Sequence, residues 1–340
     1  MSVKSEIVLN RDLLAGAAYF FGRENGLNRR NRKQPTEAIK ATLISKGVLS
    51  SDLKLLDKEF GYACYEHYRQ VYEPDSFDLL LQQEASNRKR ILDLCCGAGA
   101  TIFSLLESKP DIIYGFDANA SQIELLETLL LEQNNRSSTV IAKAADVHRI
   151  PLADHSVELL LEQSNRSCTV IAKVADAHRI PLADHSVKLL LEQSNRSCTV
   201  ITKAADAHQI PLADHSVDFV VCRVALQYLN VEQALEEMYR VLSPGGKVFL
   251  LVHGSGYIGN YLFSRKGIFS KKVVQFFRNK LLRSHTADPT FHRSQANFFR
   301  KKQLIRLMEA QGFQAAQLHT FTDSLTLGML PVYFAVTAER

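Results

Sequence analysis

The chain has 340 residues, 46% of them hydrophobic, and a formal net charge of +5. That length suits one large domain or two small ones, each with an ordinary core. So modest a charge argues against a dedicated nucleic-acid binder, no apolar run reaches the roughly 18 residues of a membrane span, and the opening MSVKSEIVLNRD lacks the apolar stretch of a signal peptide.

A cytoplasmic protein is therefore expected. The six cysteines, Cys64, Cys95, Cys96, Cys168, Cys198 and Cys222, include no C-x-x-C pair and read as reduced thiols. The first element is a helical region over 1–85. It carries aromatics at Tyr19, Phe20, Phe21, Phe60, Tyr62, Tyr65, Tyr68 and Tyr72. They suit either the core of a helical cap or an apolar lid over a ligand. The stretch GLNRRNRKQ reads as a solvated loop.

From Ile91 the chain changes character. ILDLCCGAGA takes an apolar strand into a glycine turn and a helix, and DIIYGFD then ends a second strand on Asp117. A β-turn-α-β unit of this kind binds a nucleoside-containing cofactor: the turn glycines let a ligand approach the backbone, and the carboxylate accepts from ribose hydroxyls. The dinucleotide fingerprint wants a Gly or Ala where this chain has Ile102, which weakens a nicotinamide reading.

Residues 129–158, 159–188 and 189–218 are near-copies of one thirty-residue unit. Each reads as a half-helix, a turn at Asn-Arg-Ser, a strand through Thr-Val-Ile and a loop, and Asp154 and Asp184 are placed to cap the helix of the next copy. One copy would complete an α/β domain of about 280 residues, since 340 less 60 is 280. The two surplus units either lengthen a sheet at its edge or bulge out. The six repeated histidines, His148, His155, His178, His185, His208 and His215, follow from the duplication. Their spacing lacks a zinc pattern, so no metal is expected.

Copy three runs into DFVVCRVALQYL, a buried strand by its apolar run. An amphipathic helix follows, with Leu235, Met238 and Leu242 on one face, and Pro244, Gly245 and Gly246 break it before the strand KVFLLV. His253 ends that strand, ahead of a G-S-G segment that reads as flexible. Within an expected insertion over 254–300, residues 267–284 alternate apolar and basic residues at helical spacing. They could contact an anionic membrane surface or a lipophilic substrate, and an ordinary surface helix is favoured.

The motifs DLCCGAG, GFDAN, IPLADHSVDFVVCRVALQYL and LSPGGKVFLLV, in this order, resemble class I S-adenosylmethionine-dependent methyltransferases, nearest to the small-molecule group that includes quinone-biosynthesis enzymes. The resemblance covers about 86–252, and KKQLIRLMEAQGF and PVYFAVTAER resemble that fold's last helix and strand. It implies a Rossmann-like α/β sheet with helices on both faces, an N-terminal helical cap at 1–85 and a cofactor domain at 86–340. It also implies S-adenosylmethionine as cofactor and a small, partly apolar methyl acceptor.

By that resemblance Asp93, Gly97 and Gly99 hold the methionine part, Asp117 the ribose, and Ala118 the adenine. Cys222 and Arg223 line the methionine side. The adenine-side Asp-Ala pair occurs three times. Two extra strands stacked outward add roughly 10 Å to the return crossing at about 4.8 Å each, whereas the dozen residues from Ala207 to Asp218 reach at most about 40 Å. Asp206 and Ala207, from the copy joined to the next strand, are therefore favoured, with Asp146 next and Asp176 the third copy of that position. Cys95 replaces a common Gly and fits if its backbone stays in the β region. Asn119 can cap the following helix.

Methyl transfer needs alignment and, for some acceptors, a base. Gln227, Tyr228, His253 and Tyr257 stand at strand ends. His253 is favoured as base, with Tyr228 beside it, although plain packing explains each residue as well. The strand end CRVALQYL differs from the motif of amino-methylating DNA enzymes, and no double-glutamate loop marks an arginine methyltransferase. The alternatives are a cofactor-binding protein whose catalysis the repeats have altered, and a nicotinamide oxidoreductase.

Overall fold

The computed structural model describes residues 2–27, 33–133, 139–141, 199–261, 298–321, 326–328 and 330–340. These fall into two compact units, the first holding Met1–Pro74, Ala85–Asp206 and Pro211–Ala213, the second Asp75–Glu84, Ala207–Ile210 and Asp214–Arg340.

The first unit opens with α1 (Val3–Leu9), α2 (Arg11–Asn25), α3 (Glu37–Ser45) and α4 (Lys58–Tyr72). Their starts follow from local chemistry. Ser2, Asn10, Thr36 and Asp57 each accept a hydrogen bond from a first-turn amide, which satisfies donors a helix leaves free. The expected aromatic cluster divides. Phe20, Phe21, Phe60 and Tyr65 are buried, whereas Tyr62 and Tyr72 remain exposed. Helix α4 shows the periodic stripe that buries a helix face, with Phe60, Ala63, Cys64 and His67 inward.

The same unit continues with β1 (Arg90–Leu94), α6 (Ala100–Leu105), β2 (Ile112–Asp117), α7 (Ala120–Gln133), β3 (Thr139–Ile141) and β4 (Thr199–Ala204). Helix α5 (Ser76–Ala85) precedes them and lies almost wholly in the second unit. The strands run parallel in the order β3-β4-β2-β1. Parallel strands joined by helices are the Rossmann-like arrangement the sequence pattern implies. Strand β4 comes from the third copy of the repeat and pairs with β2, so that Asp117 faces Ala204. Strand β3, from the first copy, lies outside it, pairing Thr139 with Thr199, Val140 with Val200 and Ile141 with Ile201. The partners are the same positions of the thirty-residue unit. Their equal β-branched pattern makes that register self-consistent. The middle copy, with Asp176 and Asp184, lies outside the described residues, as do Asp146 and Asp154 of the first copy.

The second unit holds α5, β5 (Val217–Arg223), α8 (Val231–Val241), β6 (Leu242–His253), α9 (Gly256–Tyr261), α10 (Lys301–Ala310), β7 (Gln314–His319), β8 (Thr326–Leu327), β9 (Leu330–Pro331) and β10 (Tyr333–Glu339). Its main strands run in the order β5-β6-β10-β7, with β5 and β6 parallel and the other two contacts antiparallel. The expected apolar face of α8 is present in Leu235 and Met238, buried with Ala234 and Val241. Leu242, expected on that face, lies past the helix end and opens β6, which runs on through Pro244, Gly245 and Gly246 where a break before the strand was expected. Asn230 caps that helix at Gln233 N, and its own amide donates to Nε2 of His208. His215 Nδ1 hydrogen-bonds to Leu242 O at 3.2 Å. Both described repeat histidines thus serve local structure.

One expectation needs correction. The G-S-G segment after β6 is held rather than free. The Gly254 amide donates to Val332 O at 2.9 Å, and a Cβ on Gly254 would stand 2.3 Å from the carbonyl oxygen of Pro331. Here glycine serves close backbone approach, the other common reason for it. The amphipathic stretch 267–284 lies outside the described residues.

Candidate cofactor site

In the first unit the carboxyl ends of β1, β2 and β4 come together, the edge where open α/β sheets bind ligands. Strand β1 delivers Asp93, 1% exposed and in register with Gly115. The chain then turns through Cys95, Cys96, Gly97, Ala98 and Gly99 into α6. Gly97 has φ 54° and Gly99 φ 80°. A Cβ on Gly97 would meet nothing within 4 Å, so its backbone faces open space a ligand can enter. A Cβ on Gly99 would stand 2.2 Å from Leu126 Cδ1, so this glycine serves packing of the turn onto α7.

Cys95 has φ 61°, in the left-handed region, not in the β region expected for it. The turn's geometry overrides residue preference at a cost of about 1–2 kcal/mol. Cys96 is held by its amide to Phe116 O at 3.1 Å. Burial, and then the carboxylates of Asp93 and Asp117, push its thiol well above the ordinary range, so it stays protonated.

Asp117 ends β2 and ties the turn together. Its Oδ2 accepts from the Gly97 amide at 2.9 Å and its Oδ1 from the Asn119 amide at 2.8 Å. Burial raises the carboxyl above its ordinary value, and those two N–H groups oppose the rise. Each oxygen keeps a further lone-pair direction for hydroxyl donors. Asn119 caps α7 as expected, its Oδ1 accepting from the Ser121 amide at 3.0 Å. Ala118 is exposed. Beyond β4 the Ala205 amide donates to Asp117 O at 2.9 Å, and the exposed Asp206 comes next in the chain.

Sequence reasoning missed the support behind this turn. His67 Nε2 lies 2.7 Å from Ala98 O, and Thr101 Oγ1 donates to Gln70 Oε1 at 3.0 Å. All four residues are buried. The usable signal was two polar residues, His67 and Gln70, three apart on the apolar stripe of α4.

The second unit places the other expected residues. Ala207 is buried. Arg223, at the end of β5, forms a 2.6 Å ion pair with Asp78 of α5, both side chains nearly buried. His253 is 2% exposed and stacks on Tyr257, with ring centroids 3.6 Å apart and planes 12° apart. Tyr228 meets the same imidazole edge-on at 6.1 Å and Tyr333 at 5.3 Å. His253 and Tyr228 are thus brought together, within an aromatic cluster the strand-end reading did not foresee. Gln227 is fully buried, and among the described residues neither polar atom of its amide has a hydrogen-bond partner.

Residues 187–250 match a family model described as a methyltransferase domain. The match begins two residues before the third copy and ends within β6. No curated protein matches the chain. Among solved structures, a SAM-dependent methyltransferase from Methanosarcina mazei is similar at 15% identity over 77% of this chain and 96% of its own, with a TM-score of 0.43. A Streptomyces coelicolor geranyl diphosphate C-methyltransferase, bound to S-adenosyl-L-homocysteine, is similar at 12% identity over 81% and 82%, with a TM-score of 0.44. A possible histamine N-methyltransferase from Thermotoga maritima is similar at 13% identity over 83% and 97%, with a TM-score of 0.38. Likenesses so distant leave the chemistry to be argued from this chain's own residues. Among the described residues no helix is long and apolar enough to cross a membrane.

Proposed function

We propose that this protein transfers a methyl group from S-adenosylmethionine to a small, partly apolar molecule. The observation that carries the reading is the Asp117 carboxylate, fixed by the Gly97 and Asn119 amides at the end of a parallel strand. The methyltransferase-domain match over 187–250 supports the reaction class. When bound, the cofactor supplies a methyl group activated by its sulfonium sulfur.

The chain's own residues bind and orient. Asp117 accepts from ribose hydroxyls, and its two backbone donors aim it before any ligand arrives. The open space at Gly97 admits the methionine part, and Asp93 and Gly99 shape the turn around it. Ala118 packs against adenine. Asp206 and Ala207 are assigned to the adenine side, because the third-copy strand is the one in register with β2. Arg223 is assigned to the methionine side. His253 is assigned as the base that takes the acceptor's proton, with Tyr228 orienting its ring. The N-terminal helices are assigned as cap, and segment 254–300 as the acceptor's side.

Calorimetry with S-adenosylhomocysteine, followed by a methyl-transfer assay over a metabolite panel, tests the reading. The parent should bind and transfer. Asp117→Asn should weaken binding by about tenfold or more, as expected when a charged acceptor is lost. His253→Gln should lower transfer while leaving that affinity intact. A parent that binds NAD and not S-adenosylhomocysteine would overturn the proposal. Binding without transfer to any acceptor would favour a protein of altered catalysis.

A further inference from the structure

The residues that set the cofactor turn are not confined to the strand-turn-helix motif. Ala98 lies between the two positive-φ glycines, so the direction of its carbonyl reports the course of the whole turn. That carbonyl sits 2.7 Å from His67 Nε2. One turn of helix further on, Thr101 Oγ1 donates to Gln70 Oε1 at 3.0 Å. His67 and Gln70 are three residues apart on α4, so one helix face grips both ends of the segment Ala98–Thr101. The His67 ring also packs on Phe103 of α6, with centroids 5.0 Å apart. Ala98, Leu125 and Leu129 share one buried cluster with residues of α1, α2 and α4.

A carbonyl only accepts, so Nε2 carries the proton and donates. Burial holds the imidazole's pKa down to about 4, so the ring is neutral at physiological pH. A neutral donor suits a turn whose outward face receives a ligand. It fixes the carbonyl without adding a charge behind the site.

We infer that His67 and Gln70 are positioning residues for the cofactor: helix α4 holds the Ala98 carbonyl and the Thr101 hydroxyl so that the open face of Gly97 and the Asp117 carboxylate meet the ligand in one geometry. The N-terminal helices therefore govern cofactor affinity, beyond any part in covering the acceptor. This inference rests on the cofactor reading above.

The test measures S-adenosylhomocysteine affinity by calorimetry on the full chain, well below each variant's melting temperature. His67→Phe keeps an aromatic ring against Phe103 and removes the donor. It should weaken binding about tenfold, the equivalent of roughly 1.4 kcal/mol and of one buried hydrogen bond. His67→Gln restores a donor at nearly the same reach and should stay within about threefold of the parent. Thr101→Val, close in shape, should lose about threefold or more. A general loss of stability would not be rescued by Gln in this way. If His67→Phe and Thr101→Val bind like the parent, the inference is overturned while the cofactor reading stands. If the parent binds no S-adenosylhomocysteine, the cofactor reading fails and takes this inference with it.

Discussion

Cys95 and Gly99 are four residues apart in one turn, and both have positive φ. Cys95 bears the strain of an L-residue there, whereas Gly99 avoids it and also leaves room for Leu126. Gly99→Ala adds both penalties at once, left-handed strain and overpacking against a buried leucine. It should destabilise by about 3 kcal/mol in chemical denaturation, with loss of cofactor affinity. At His67 the effect depends on pH. Unfolded, the imidazole titrates near 6.5, and folded it titrates near about 4. Between these values the unfolded chain holds a proton that the folded chain refuses, so stability is unaffected above pH 6.5 and falls as pH drops toward 4. The full loss is roughly 3 kcal/mol. His67→Gln should flatten that part of the stability–pH curve. An equal slope in both proteins would mean that other groups carry the acid sensitivity.

At the scale of elements, the second unit is tied by ion pairs that the motifs do not announce. Helix α5 reaches β5 through Asp78 and Arg223, and β6 through Glu84 and Lys247 at 2.9 Å. The first pair is nearly buried, so removing one partner strands the other charge in a poor solvent. Asp78→Asn should cost about 3–5 kcal/mol, whereas the double replacement Asp78→Leu with Arg223→Met should cost far less. A double-mutant cycle by urea denaturation measures the difference. The amphipathic pattern of α8 was legible from Leu235 and Met238, because local periodicity needs no distant partner, whereas Leu242, expected on the same face, belongs to β6. The α5 pair was not, because Asp78 and Arg223 are remote in sequence and only packing makes them partners.

Across the whole molecule the threefold repeat is the feature to explain. The first-copy strand pairs with the third-copy strand at identical repeat positions, and the third-copy strand pairs with β2. That arrangement predicts that copies one and two are dispensable for cofactor binding. Deleting 129–188 joins Thr128 of α7 to Leu189, the start of the third copy, without a change of pattern and leaves 280 residues, 340 less 60. The shortened protein should bind S-adenosylhomocysteine within about threefold of the parent, since its β2–β4 register is unchanged. Loss of binding on deletion would show that the surplus units hold β4 in place.

The sequence by itself determined the strand-turn-helix-strand order around Gly97 and Asp117, the face of α8 and the existence of the repeat. Each of these is written in local periodicity or in residues close along the chain. Only the tertiary structure decided which copy lies beside β2, that Cys95 takes a left-handed backbone, that Gly254 is clamped, and that α4 grips the turn at Ala98 and Thr101. Those outcomes depend on which surfaces exclude water together and which distant donors meet which acceptors, and a linear pattern does not encode either.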